Sequence, residues 1–139
     1  MSRKQFTICL DFDGTFVYHE FPKLGSVIPG AADWVRRWID AGARIVLWTI
    51  RDNDHATGKK FLQDAVDLLM QNGIDLYGVN SNPSQSDWSR SPKAYCNLYV
   101  DDAAFGAPLS TDKTICSRPF LNWDIVGPEV LSIIEAYYE

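Results

Sequence analysis

An α/β fold, in which a parallel sheet is covered by helices on both faces, is predicted by three features of the sequence. Four short apolar runs, Phe6 to Leu10, Arg44 to Thr49, Leu76 to Val79 and Leu98 to Val100, read as strands, and a strand buried on both faces needs no polar alternation. The first three are separated by segments whose apolar residues recur at helical spacing. Strands joined through helices re-enter the sheet at the same end and so run parallel. The 139 residues are the size of one domain, assigned to residues 1–139, and no linker, repeat or low-complexity segment divides them.

The elements follow in order. Phe6 to Leu10 (FTICL) forms the first strand and ends at Asp11. Phe16 to Ile28, with its aromatics, Pro22 and Gly25, reads as an irregular loop or small hairpin. Ala31, Trp34, Val35, Trp38 and Ile39 share one helical face; Pro29 and Gly30 open this helix and Gly42 closes it. Arg44 to Thr49 (RIVLWT) is the second strand. Leu62, Ala65, Val66, Leu69 and Met70 mark a second helix, with Gly73 as its stop. The third strand, Leu76 to Val79, is followed by a polar loop from Asn80 to Pro92, and the fourth, Leu98 to Val100, by Asp101-Asp102. A short fifth strand is placed near Thr114 to Ser117, and a C-terminal helix opened by Pro128 carries Val130, Leu131, Ile134 and Tyr137.

Bulk properties narrow the function. A composition of 46% hydrophobic and 22% charged residues is ordinary for a soluble globular chain. The net charge of −5 argues against nucleic acid as the main partner, since phosphate backbones are gripped by an excess of Lys and Arg. Cys9, Cys96 and Cys116 are scattered and odd in number, so Cys9 and Cys96 read as buried thiols and the expected compartment is the reducing cytoplasm. No apolar run approaches membrane-spanning length, and the N-terminus lacks the apolar stretch of a signal peptide. Self-association is left open.

The chemistry is concentrated where strands end. In a parallel sheet ligands bind beyond the carboxyl ends of the strands, and Asp11, Thr49 and Asp101 each end a separate strand. In Asp11-Phe12-Asp13-Gly14-Thr15 two carboxylates one residue apart can turn to one site if the backbone bends, which Gly14 permits. Clustered carboxylates repel unless a proton or cation intervenes, and Mg²⁺ is a hard ion suited to bridging them to a phosphate. One carboxylate can then attack phosphorus while the other handles protons. Thr49 can hold a phosphoryl oxygen through its hydroxyl and backbone N–H, and Lys93 can offset charge developing on phosphorus. Asp102 divides between metal binding and a turn or cap. His19 and His55 read as surface or flap residues, and Trp88, in a polar loop, as a candidate substrate contact.

Together DFDGT (Asp11 to Thr15), IVLWT ending at Thr49, Lys93 and YVDD (Asp101, Asp102) resemble the four ordered motifs of the haloacid dehalogenase-like (HAD) hydrolase superfamily, over about two thirds of the chain. The segment around His19, Pro22, Gly25 and Pro29, then WTIR (Trp48 to Arg51), Val79-Asn80 and DDAAFGAPL (Asp101 to Leu109) is similar to short members of that superfamily. The resemblance implies a Rossmann-like sheet and a phosphatase acting on a phosphorylated substrate. Asp11 would form an aspartyl-phosphate; Asp13 would protonate the leaving group and then activate water. Mg²⁺ would sit among Asp11, the backbone carbonyl of Asp13 and Asp101, with Asp102 a further ligand through water. Thr49 and Lys93 would steady the phosphoryl group. Arg51, in the WTxR pattern, is either a bidentate grip on a substrate anion or an ordinary surface arginine.

Dehalogenase-type relatives lack the second motif-one aspartate, so Asp13 favours phosphate chemistry over carbon–halogen cleavage. Only 15 residues separate Thr15 from Ala31, and the 43 between Thr49 and Lys93 are used by a helix, a strand and one loop, so no cap domain is expected. Two alternatives remain: a receiver-like phospho-acceptor, and an inactive HAD-like binding module. A receiver places its acidic pair side by side after the first strand; here that pair comes late, at Asp101-Asp102.

Overall fold

The computed structural model describes residues 5–139. Four parallel strands, β1 (Phe6–Leu10), β2 (Ala43–Leu47), β3 (Leu76–Val79) and β4 (Leu98–Val100), form a sheet in the order β3-β2-β1-β4. Helices α1 (Ala31–Asp40) and α2 (Phe61–Gln71) connect β1 to β2 and β2 to β3. A short antiparallel pair, β5 (Leu109–Ser110) and β6 (Phe120–Leu121), precedes α3 (Trp123–Tyr138). The fold is thus α/β and Rossmann-like.

Register decides where the site falls. Leu10 lies opposite both Leu47 and Val100, so Asp11, Trp48 and Asp101 leave the sheet at one level. The backbone keeps them there: Asp11 N–H donates to Val100 O at 3.0 Å and Trp48 N–H to Leu10 O at 2.8 Å.

The helices do not cover both faces. Phe6, Ile8 and Leu10 join Ile45, Leu47 and Val100 in one core with buried residues of all three helices, among them Val35, Leu69 and Ile134. The alternate residues, Cys9 and Val46, instead pack with Ala94, Cys96, Trp48, Tyr77 and Tyr99. The cause is direction of travel. β1 to β2 to β3 steps outward twice the same way, so two right-handed crossovers lay α1 and α2 on one side. Only the return from β3 to β4 crosses the other face, and that segment holds just a 3₁₀ turn at Gln85–Asp87.

Smaller differences have local causes. The second strand closes at Leu47, short of Thr49. Thr114 to Ser117 is a turn in which the Asp112 carboxylate accepts from Thr114 N–H at 3.0 Å; the local pairing is β5 with β6 instead. Pro128 lies inside α3, whose true opener is Asn122, its side chain accepting from Asp124 N–H at 3.1 Å. A Cβ on Gly127 would run into the Trp34 indole, so this glycine lets α3 lie close on α1. Met70 is exposed on α2.

Cys9 and Cys96 are not free thiols. They are joined in a disulfide with Cα atoms 5.8 Å apart, because the segment entering β4 lies beside β1, with Asn97 N–H donating to Thr7 O at 2.8 Å. The cysteine argument for a reducing cytoplasm falls with it. Cys116 is free. Among the described residues no helix is long and apolar enough to cross a membrane.

Candidate active site

The turn after β1 is built by Phe12, whose carbonyl accepts the N–H groups of Thr15, Phe16 and Val17 at 3.2, 2.9 and 3.2 Å. Gly14 takes a φ of 82°, which favours glycine, and a Cβ there would collide with the His19 ring and the Asp102 carboxylate. Thr15, fully buried, is held from behind by the Trp123 indole N–H donating to its carbonyl at 2.7 Å. α3 thereby fixes the loop that carries the acids.

Three carboxylates converge in front of this turn. Asp11, Asp101 and Asp102 each offer an oxygen, all within 4.8 Å of one another. Thr15 Oγ1 lies 2.7 Å from Asp11 Oδ2 and 3.1 Å from Asp102 Oδ1, and accepts from Asp102 N–H at 3.0 Å. Burial, foremost, and the neighbouring Asp102 push the Asp11 carboxyl up to about 8, while Thr15 pulls the other way. Burial likewise raises Asp101, against the Ala103 N–H that its carboxylate accepts at 2.8 Å. The donor set is all hard oxygen and fits Mg²⁺ or a similar cation.

Opposite stands Thr49. A cavity of about 330 Å³ is lined by Asp11, Trp48, Thr49, Ile50, Asn80 and Asp101. Asn80, at a φ of 53°, donates its N–H to Leu47 O at 2.7 Å and accepts Thr49 N–H on Oδ1 at 2.8 Å. The Thr49 N–H expected to hold a phosphoryl oxygen is therefore engaged. Its Oγ1 accepts from Arg51 N–H at 3.1 Å, which leaves the hydroxyl proton for a ligand.

Asp13 and Arg51 depart most from expectation. The Asp13 carboxylate lies outside the acidic cluster and does not line the cavity. Both its oxygens accept from Arg51, at 2.7 Å from Nε and 2.8 Å from Nη2. Arg51 is neither a surface residue nor open to a substrate anion: its side chain is 0% exposed. The guanidinium also donates to Lys23 O at 2.8 Å and, at 3.4 Å, to Pro22 O and Phe61 O. The Phe12 and Phe21 rings lie 5.1 and 5.0 Å from its Cζ.

Lys93 is exposed and lies over the Tyr99 ring at 5.3 Å, outside the cavity lining. His55 is exposed, but His19 is not: its Nε2 sits 3.0 Å from Asp102 Oδ2, with side chains 12% and 14% exposed. Trp88 is exposed and packs edge-on against Tyr95. Sequence reading missed Thr15, Asn80 and His19 as site residues. For Thr15 no local rule applied: its hydroxyl meets Asp11 four residues back and Asp102 across the sheet, a pairing that only the folded turn makes.

No family model matches the chain, and no curated protein matches it. Among solved structures, a conserved protein coded by a locus of Bacteroides thetaiotaomicron shares the fold, with a TM-score of 0.71 and 24% identity over 91% of this chain and 90% of that chain. The class defined is a Rossmann-like α/β protein.

Proposed function

We propose that this chain is a magnesium-dependent phosphomonoester hydrolase of the HAD-like type, without a cap domain, working through an aspartyl-phosphate on Asp11. The observation that carries the reading is the meeting of Asp11, Asp101 and Asp102 at the carboxyl ends of β1 and β4, with Asp11 and Asp101 facing Thr49 across one cavity. Such a site accepts a phosphoryl group only when the acids are neutralised, and Asp11 and Asp101, with Asp102 behind, would hold the Mg²⁺ that supplies this charge.

The chain's own groups do the rest. Asp11 attacks phosphorus, and Thr49 donates its hydroxyl to a phosphoryl oxygen. As the ester P–O bond breaks, Asp13 gives a proton to the leaving oxygen; it later takes one from the water that attacks the aspartyl-phosphate, freeing inorganic phosphate and Asp11. For that, one Asp13 oxygen leaves Arg51, turns to the cavity and takes up a proton from water, so Arg51 fixes the carboxyl's resting place. Lys93 reaches the phosphoryl group only after leaving Tyr99. An open cavity and a folded core without a separate lid favour broad substrates and modest kcat/KM.

The test is turnover of a panel of phosphate esters with and without Mg²⁺, with mass spectrometry for a phosphate adduct on Asp11. Full activity after exhaustive chelation, or an adduct elsewhere, would sink the proposal.

A further inference from the structure

We infer that a second pocket beside the cavity, headed by Arg90, binds an anion, so that the substrate is a phosphate ester whose leaving group carries another acidic group. The inference rests on the phosphatase reading for the first pocket only. A cavity of about 260 Å³ adjoins the first across Asn80, which lines both. Its other walls come from the segment between β3 and β4 and include Ser81, Ser86, Ser89 and the exposed Arg90.

Two amides that also line it are committed to the fold. Asn82 donates to Tyr95 O at 2.9 Å and accepts from Ser84 N–H at 3.0 Å. Gln85 donates to Lys93 O at 2.9 Å and accepts from Tyr95 N–H at 2.7 Å. Both are buried, and they hold the segment in shape. What is left for a ligand is the Arg90 guanidinium and the serines. Of these, Ser81 already donates to Val79 O at 3.4 Å and Ser89 accepts from Ser91 N–H at 3.2 Å, so that Ser86 and the Ser89 hydroxyl proton stay open as donors.

Charge then selects the ligand. No carboxylate lines the second pocket, and Arg90 is the one cation lining either pocket. Of the other candidates, Arg51 is taken by Asp13, and Lys93, which lies over the Tyr99 ring, lines neither pocket. Arg90 forms no ion pair among the described residues. A guanidinium fork matches a carboxylate or phosphate, and serine hydroxyls complete an anion's hydrogen bonds. An apolar leaving group would find its walls elsewhere, at Trp48 and Ile50 of the first cavity.

Two matched probe pairs test this by calorimetric titration of the Asp11→Asn chain with Mg²⁺. One pair is glycerol 3-phosphate against 3-phosphoglycerate, and the other is fructose 6-phosphate against fructose 1,6-bisphosphate. The member carrying the second acidic group is expected to bind about fivefold tighter in at least one pair, and Arg90→Gln should bring the two within about twofold. The responding pair identifies the anion as carboxylate or phosphate. Equal binding within both pairs, no binding of any probe, or a preference that survives Arg90→Gln overturns the pocket. Turnover by the unaltered chain separates the two ideas: hydrolysis without preference removes the pocket alone, whereas preference without hydrolysis removes the phosphatase reading alone.

Discussion

Replacing Arg51 by Ala is expected to cost a large share of the protein's stability. The side chain is wholly buried while its partner Asp13 keeps 15% exposure, so the substitution leaves a carboxylate short of two charge-assisted hydrogen bonds and little water in their place. Breaking a buried pair from one side costs about 3–5 kcal/mol. The carbonyls of Pro22, Lys23 and Phe61 also lose a donor, and a gap opens between Phe12 and Phe21. Against a total stability of about 5–15 kcal/mol for a typical domain, this is about a fifth at the least.

Urea unfolding at pH 7 should show a midpoint shift of that size with an unchanged slope. Arg51→Lys keeps the charge without the fork and should lose less. In a double-mutant cycle, Asp13→Ala in the Arg51→Ala background should cost far less than alone, with a coupling of about 2 kcal/mol or more. A loss under about 1 kcal/mol for Arg51→Ala, or additive single effects, would refute the claim that this pair ties the turn after β1 to the loop after β2.

Asp11→Asn is expected to abolish turnover and the phosphate adduct together, read by steady-state kinetics and mass spectrometry; substantial residual turnover would exclude the covalent route. Asp101→Ala should raise the Mg²⁺ concentration for half-maximal activity, and Asp102→Ala should do so less while lowering stability through lost contacts to Thr15 and His19. Because the folded Asp11 carboxyl is raised from 3.8 to about 8, the native state holds a proton that the unfolded chain releases. Its contribution is fully present below about pH 4 and lost as pH rises through about 8, at most on the order of 5 kcal/mol. Thermal melts of the chelated protein should therefore fall over that range in wild type and much less in Asp11→Asn.

The sequence disclosed what periodicity and strand ends can carry. Four strands stand where apolar runs predict them, and the aspartates at 11 and 101 meet because β1 and β4 pair. It could not disclose partners brought together by the loop fold. Nothing in WTIR says that Arg51 turns inward to Asp13, since that depends on segment 16–28 folding over it. Helix count likewise fixes no face: strand order does, and the missing helix between β3 and β4 leaves one side to a loop. The disulfide was hidden for a related reason, Cys9 and Cys96 being 87 residues apart until β4 enters beside β1.

The two aspartates of DFDGT are therefore put to different work by one turn. Asp11 joins the acidic cluster, while Asp13, beyond Phe12, is claimed by Arg51. Thr15 stands within reach of both Asp11 and Asp102, yet one hydroxyl has a single proton and satisfies one carboxylate at a time. The remaining repulsion must be met by a proton or a cation. Near neutral pH the raised Asp11 carboxyl is largely met by a proton, and a protonated acid is a poor nucleophile. Asp11 would be favoured in its ionised form were a divalent cation held beside the same oxygens. In the proposed reaction one requirement thus has two consequences: the charge that lets a phosphate approach three acids is also what turns Asp11 into an attacking group.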